Sequence, residues 1–226
     1  MNTKLPPLVA GALVALILAV FPPIAAAGSF TATCSSGLSC SGVLEITGTL
    51  RLEESTGLAI TCTGATGSAS QTSGVSTGTA ELTMTGCKES VLGTQCNSTG
   101  TSGQIRTNKL TTDLIYIEPN KSAPGILYTG VNVTYSCPVV GLKKTVTGSI
   151  IDTLENPQCG VARSNHTTVF EFGALSGSQK HTQATTTGTV YDLITNNDAG
   201  GAYNTSAIGF TLHVNWPAGI LVTLNC

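Results

Sequence analysis

Residues 74 to 78 read GVSTG, the G-x-S-x-G spelling of a nucleophile elbow, and Ser76 is the residue such an elbow would present for acyl transfer. The chemistry depends on a sharp turn between a buried strand and a helix, which sets the serine beside an oxyanion hole. Here no apolar strand precedes the pentapeptide and no helical pattern follows it. It lies in the low-complexity stretch Gly64 to Gly78, GATGSASQTSGVSTG, which reads as a loop or an exposed hairpin. With 26 glycines in 226 residues the spelling arises readily by composition, and Ser76 is read as a turn residue.

The three histidines, His166, His181 and His213, would need Glu171 or Asp192 to complete a metal site, yet no two of them have the i, i+2 strand spacing or the H-E-x-x-H spacing that puts two imidazoles on one ion. YDLITNNDAGG, with Asp192, Asn196, Asp198 and the carbonyls near Gly200, is rich in oxygen ligands but lacks the EF-hand spacing and reads as a turn. Neither pattern implies a metal, and nothing else in the sequence implies a cofactor. Sequons at Asn97, Asn132, Asn165 and Asn204 carry no information, because a chain that is about one quarter Ser and Thr produces such triplets by chance.

All eight cysteines follow residue 33, and no two are closer than Cys34 and Cys40, so C-x-x-C metal pairs are absent and four disulfides are expected. Local loop closure favours Cys34 with Cys40 and Cys87 with Cys96. Cys62 and Cys137, each at the end of an apolar strand face, form the third expected pair, and Cys159 with Cys226 pins the C-terminal strand. Exchange of partners among Cys62, Cys137, Cys159 and Cys226 stays open on these grounds.

These residues must be carried by strands. Ile208, Phe210, Leu212, Val214 and Trp216 share one face of an alternating run, and ILVTLNC alternates again after Pro217-Ala218-Gly219, which reads as a C-terminal hairpin. Trp216 therefore belongs to a core, not to a sugar-stacking platform. Further period-two runs span 43–52, 58–63, 79–85, 104–108, 110–118, 126–137, 145–151, 167–172 and 189–194, separated by Gly and Pro turns. The expected fold class is all-β, an antiparallel sandwich or barrel of about ten to twelve short strands, with almost no helix.

The N-terminus has one cation, Lys4, an apolar run from Leu8 to Phe21 and the small tripeptide Ala25-Ala26-Ala27, the form of a secretory signal peptide spanning 1–27. Its run is shorter than the roughly 20 residues of a membrane span, and Pro22-Pro23 ends it. Residues 28–226 are then a single secreted all-β domain. Only 10% of the chain is charged. Removing Lys4 leaves nine Lys and Arg against twelve Asp and Glu, about −3, with no basic cluster. Nucleic acid and anionic membranes are poor partners for such a surface, and Lys143-Lys144 reads as a solvated turn before a strand.

The order of features from Ile60 to Cys137, ITC, then LTMTGC with a second cysteine at Cys96, then GQIRTNKLTTDLIYIE and a strand ending YSC, resembles uncharacterised secreted proteins of actinobacteria. The resemblance implies secretion and an all-β fold and carries over no site. The function expected is therefore non-enzymatic: structure, adhesion or ligand binding at or outside the cell envelope, with an envelope component or carbohydrate as partner. A hydrolase assembled from scattered polar residues, or a carbohydrate-binding module using Tyr191, Tyr203 and Trp216, are the alternatives.

Overall fold

The structure, a computed structural model, describes residues 29–117, 123–184, 189–197 and 203–226. The expected signal peptide, Pro119-Asn120, Asp198 and Gly200 lie outside them. Fifteen strands and one short 3-10 turn, Pro138–Val140, make up the regular structure of the described residues. The strands are β1 Thr31–Cys34, β2 Ser39–Glu54, β3 Ala59–Cys62, β4 Gly64–Thr72, β5 Thr77–Thr85, β6 Lys88–Glu89, β7 Ile105–Arg106, β8 Leu110–Ile117, β9 Ala123–Cys137, β10 Leu142–Leu154, β11 Ala162–Arg163, β12 Asn165–Phe170, β13 Leu193–Asn197, β14 Asn204–Asn215 and β15 Val222–Asn225.

Their pairing closes on itself. β3 and β4 lie end to end along one edge of β2, β4 pairs β5, and β7 and β8 lie end to end along the other edge of β5. β8 pairs β9 and β9 pairs β10. Both β12 and β13 bridge β10 to β14, and β14 returns to β2 from Val43 to Glu54. All these pairings are antiparallel, so the result is a barrel of eight staves; β3 with β4, β7 with β8 and β12 with β13 each make one stave, the last split between strands far apart in sequence. Closure removes the unpaired edges that an open sheet would expose. Eight staves give an interior just wide enough to be filled by side chains or to hold one small ligand.

Long strands follow such curvature through bulges. In β10 the register with β9 shifts at Gly148 and Ser149. Gly148 has φ 124°, and a Cβ there would meet the Asp192 carbonyl oxygen at 2.1 Å, so glycine is required on both counts.

The main core fills the barrel with Leu44, Leu50, Ile60, Leu82, Tyr128, Tyr135, Ile150, Phe170, Phe210 and Leu212 among others. A separate three-stranded sheet, β1, β15 and β11, covers one end and packs Phe30, Ala32, Val222 and Leu224 against Leu114 and Leu154. That arrangement corrects the expected C-terminal hairpin. β14 and β15 have the alternation foreseen, but β14 belongs to the barrel and β15 pairs with β1 and β11. The Pro217 turn, in which Ile220 N–H donates to the Pro217 carbonyl at 2.9 Å, carries the chain from one layer to the other.

The low-complexity stretch from Gly64 is also strand. Its small residues suit a stave approached closely by β5: a Cβ on Gly67 would meet the Glu81 carbonyl oxygen at 2.0 Å.

Candidate ligand cavity

Ser76 sits in the β4–β5 turn, half-buried, and its carbonyl accepts from Leu114 N–H at 3.0 Å. The turn is clamped from within by Gln71, whose Nε2 donates to the carbonyls of Thr72, Val75 and Thr77 at 3.0, 3.0 and 3.2 Å. This is hairpin architecture, with a strand and not a helix following the serine.

The histidines are dispersed. His166 accepts from Trp216 Nε1 at 3.2 Å, and burial, with the Arg163 charge adding to it, lowers its pKa to about 4, so the ring is a neutral packing group. His181 lies 3.5 Å from Glu171, which also pairs with Lys180 at 2.7 Å on the surface. His213 Nδ1 is 3.0 Å from Thr167 Oγ1 and is half-buried. Asp192 is raised by partial burial, and Asn196 Oδ1 is buried without a partner. Among the described residues, no three His, Cys, Asp or Glu side chains gather as a metal site would require.

Trp216 packs against both the barrel core and the end sheet, with Gly42 making room for its ring. Of the three aromatics considered for sugar stacking, Tyr203 alone is strongly exposed.

The cysteine pairing requires a correction. The disulfides are Cys34–Cys40, Cys62–Cys87, Cys96–Cys137 and Cys159–Cys226. Cys87 with Cys96 and Cys62 with Cys137, expected from loop closure and strand-end position, exchange partners. The reason is register. Thr63 N–H donates to the Thr85 carbonyl at 3.0 Å, which extends the β4–β5 ladder until Cys62 stands opposite Cys87. Asn97 and Ser136 exchange backbone hydrogen bonds at 2.8 Å, which likewise places Cys96 opposite Cys137.

Inside the barrel lies a cavity of about 90 Å³ walled by Leu50, Ile60, Leu82, Met84, Ile150 and Phe210, with Tyr128, Val133, Tyr135 and Val146 among the rest. A second, of about 60 Å³, lies beneath the end sheet between Gln71, His166, Trp216 and Val222. Tyr128 borders both and donates to Asp152 Oδ2 at 2.9 Å. Asp152 Oδ1 takes Ile126 N–H at 2.9 Å. Burial pushes the Asp152 pKa up to about 7, against the pull of the hydrogen bonds it accepts from Tyr128 and the Ile126 backbone. The Tyr128 hydroxyl is raised well above its ordinary range, chiefly by burial and then by the Asp152 charge.

Sequence reasoning missed a buried polar layer next to the larger cavity. Two residues along from Leu52, Val133, Val146, Leu193 and Ile208, the inward positions become Glu54, Tyr135, Lys144, Thr195 and Ser206, all buried. Lys144, half of the pair read as a solvated turn, points inward and meets Glu54 at 2.6 Å. Its signal was weak: in LKKTVTGSI, Lys144 alternates in phase with Leu142 and Val146, while Lys143 does not.

The fold and this interior define an eight-stave, disulfide-linked β-barrel with an apolar central cavity and, one layer further along the barrel, a set of buried polar side chains. No protein family, curated protein or solved structure matches the chain.

Proposed function

We propose that this chain is a secreted, non-enzymatic binding barrel that holds one small, largely apolar molecule in its central cavity. The observation that carries the reading is that cavity, about 90 Å³ inside a closed barrel and walled almost wholly by aliphatic and aromatic side chains. At roughly 10–15 Å³ for each water-sized group, it takes a ligand of about six to nine heavy atoms. Concave, apolar sites with few polar groups are the usual form of small-molecule pockets, and the mouths and interiors of barrels are among their usual places. Four disulfides suit an oxidising compartment, in agreement with the secretion signal read at 1–27 and with the secreted actinobacterial proteins the chain resembles. No helix among the described residues is long and apolar enough to cross a membrane.

A hydrolase would need two of the His, Asp and Glu side chains converging on one cavity. Among the residues lining the two interior cavities, His166 is the sole member of that set.

The test is titration of the oxidised protein with toluene, which has seven heavy atoms, followed by side-chain methyl resonances. Saturable shifts at Leu50, Leu82, Val133 and Ile150 are expected, and Val146→Phe, which fills the cavity, abolishes them. Shifts confined to surface methyls, or unchanged by Val146→Phe, would overturn the proposal.

A further inference from the structure

We infer that Tyr128 sets the length of the ligand: its ring closes the partition between the two interior cavities, so the barrel takes a compact apolar molecule and rejects an elongated one. The inference rests on the cavity reading above. Among the described residues lining the two cavities, Tyr128 alone borders both. Along β9 the inward positions pass from the smaller cavity at Ile126, through Tyr128, to the larger cavity at Val131 and Val133. Tyr128 is therefore the boundary on its own stave.

The next three staves repeat this order. β10 gives Leu154 to the smaller cavity and Ile150 to the larger, β12 gives His166 and Phe170, and β14 gives Val214 and Phe210. Side chains alternate along a strand, so one inward residue stands between the members of each pair. These are Asp152, Thr168 and Leu212, all three wholly buried and none of them lining either cavity. On β5 and β8 the change is immediate, from Leu82 to Ala80 and from Leu110 to Thr112, with no inward residue between. Of the four residues at the boundary, Tyr128 has the largest side chain.

The ring is also held in place. Its hydroxyl donates to Asp152 Oδ2 at 2.9 Å, while Oδ1 of the same carboxyl takes Ile126 N–H at 2.9 Å, so the acceptor is itself fixed. The ring packs on Phe170 with centroids 5.3 Å apart, and Phe170 stacks on Phe210 at 4.3 Å. Swinging it aside would leave a phenol hydroxyl and a carboxyl buried without their bond, and buried polar groups are costly to leave unpaired. The partition therefore stays shut when a molecule fills the larger cavity.

Toluene and n-butylbenzene make the test, since they share a ring and differ only in chain length. An undivided apolar interior favours the longer compound, because each added methylene prefers apolar surroundings to water. Titration of the oxidised protein, followed by side-chain methyl resonances, is expected to show toluene binding at least tenfold more tightly than n-butylbenzene. Tyr128→Ala should reverse the order, with n-butylbenzene at least threefold the tighter and shifting Leu82 of the larger cavity and Leu114 of the smaller along one saturation curve. Tyr128→Phe, which restores the ring without the hydroxyl, should restore a preference for toluene of at least fivefold. Near-ultraviolet circular dichroism checks the packing of each variant, and Tyr128→Val, which suits a strand, takes the place of Tyr128→Ala if that variant loses it. Equal or tighter binding of n-butylbenzene by the unmodified protein overturns this inference and leaves the cavity reading standing. A preference for toluene that survives removal of the ring also overturns it. Binding of neither compound to the unmodified protein overturns both.

Discussion

Lys144 Nζ lies 2.6 Å from Glu54 Oε2, joining residues 90 apart in sequence, with both side chains almost wholly buried. β2 and β10 are not hydrogen-bonded neighbours, because β14 and the split stave stand between them. The ion pair is therefore a contact across the barrel interior. Lys144→Met leaves Glu54 as an uncompensated buried charge and is expected to cost about 3–5 kcal/mol in urea unfolding. The double variant Glu54→Leu with Lys144→Met should recover most of that loss, since apolar replacement of a whole buried pair is often neutral or stabilising. A single-variant cost below about 1 kcal/mol would show that Glu54 finds another partner or takes up a proton.

Disulfide mapping under non-reducing conditions should return peptides joining Cys62 to Cys87 and Cys96 to Cys137. A Cys87–Cys96 peptide would show the ladder register around Thr63 and Thr85 to be wrong. Loop-closure entropy ranks the bonds: removing Cys159–Cys226, with a separation of 67 residues, is expected to cost about 4 kcal/mol, against about 2 kcal/mol for Cys34–Cys40 with a separation of 6. Paired Cys→Ala variants compared by urea unfolding measure the difference.

Gly148→Ala is expected to destabilise by about 2 kcal/mol or more, because its φ of 124° is strained for any L side chain and the new methyl would press on the Asp192 carbonyl. Gly57→Ala tests the conformation alone: φ is 85° there but nothing lies within 4 Å, so a smaller loss is expected. Equal losses at the two positions would mean that the close approach at Gly148 relaxes without cost.

Alternation made most of the barrel legible. Ile208 to Trp216, Thr79 to Thr85 and Val131 to Cys137 show their inward faces directly, because a half-buried strand must alternate. What stayed hidden was set by pairing between distant strands. The stave Gly64–Thr72 has no large apolar residue, since a tightly approached stave needs small ones, and small polar residues left loop and exposed hairpin undecided where the structure has the β4–β5 hairpin. The Cys62–Cys87 pairing was within reach: each cysteine stands twelve residues from the turn centre, at Gly74 and Val75. The loop-closure criterion counted chain length and ignored that symmetry. Of the buried polar layer, only the phase of Lys144 was visible, because Glu54, 90 residues away, reaches it only through closure of the ring.

The last expectation concerns pH, where Asp152 and His166 oppose each other. The Asp152 pKa is raised to about 7 by burial, so between about pH 4 and pH 7 the native state keeps a proton that the unfolded chain has released. Its contribution therefore falls as pH rises through that window, by up to about 4 kcal/mol. His166 is lowered to about 4, so between about pH 4 and 6.5 the unfolded chain holds a proton that the native state lacks, and stability rises with pH there and levels off above. Asp192, raised by burial, adds to the first trend, and His181, lowered chiefly by burial, adds to the second. From pH 4 to 6.5 the two slopes nearly cancel, and a flat profile is expected. Asp152→Asn should expose the rising limb, with stability increasing from pH 4.5 to 6.5. His166→Gln, which keeps an acceptor for Trp216 Nε1, should expose the falling limb, with stability decreasing from pH 4.5 to 7.5. Urea unfolding at four pH values between these limits measures both. A profile for Asp152→Asn as flat as that of the unmodified protein would show that Asp152 is already ionised in the fold at pH 4.5 and that its burial is relieved by a partner other than Tyr128.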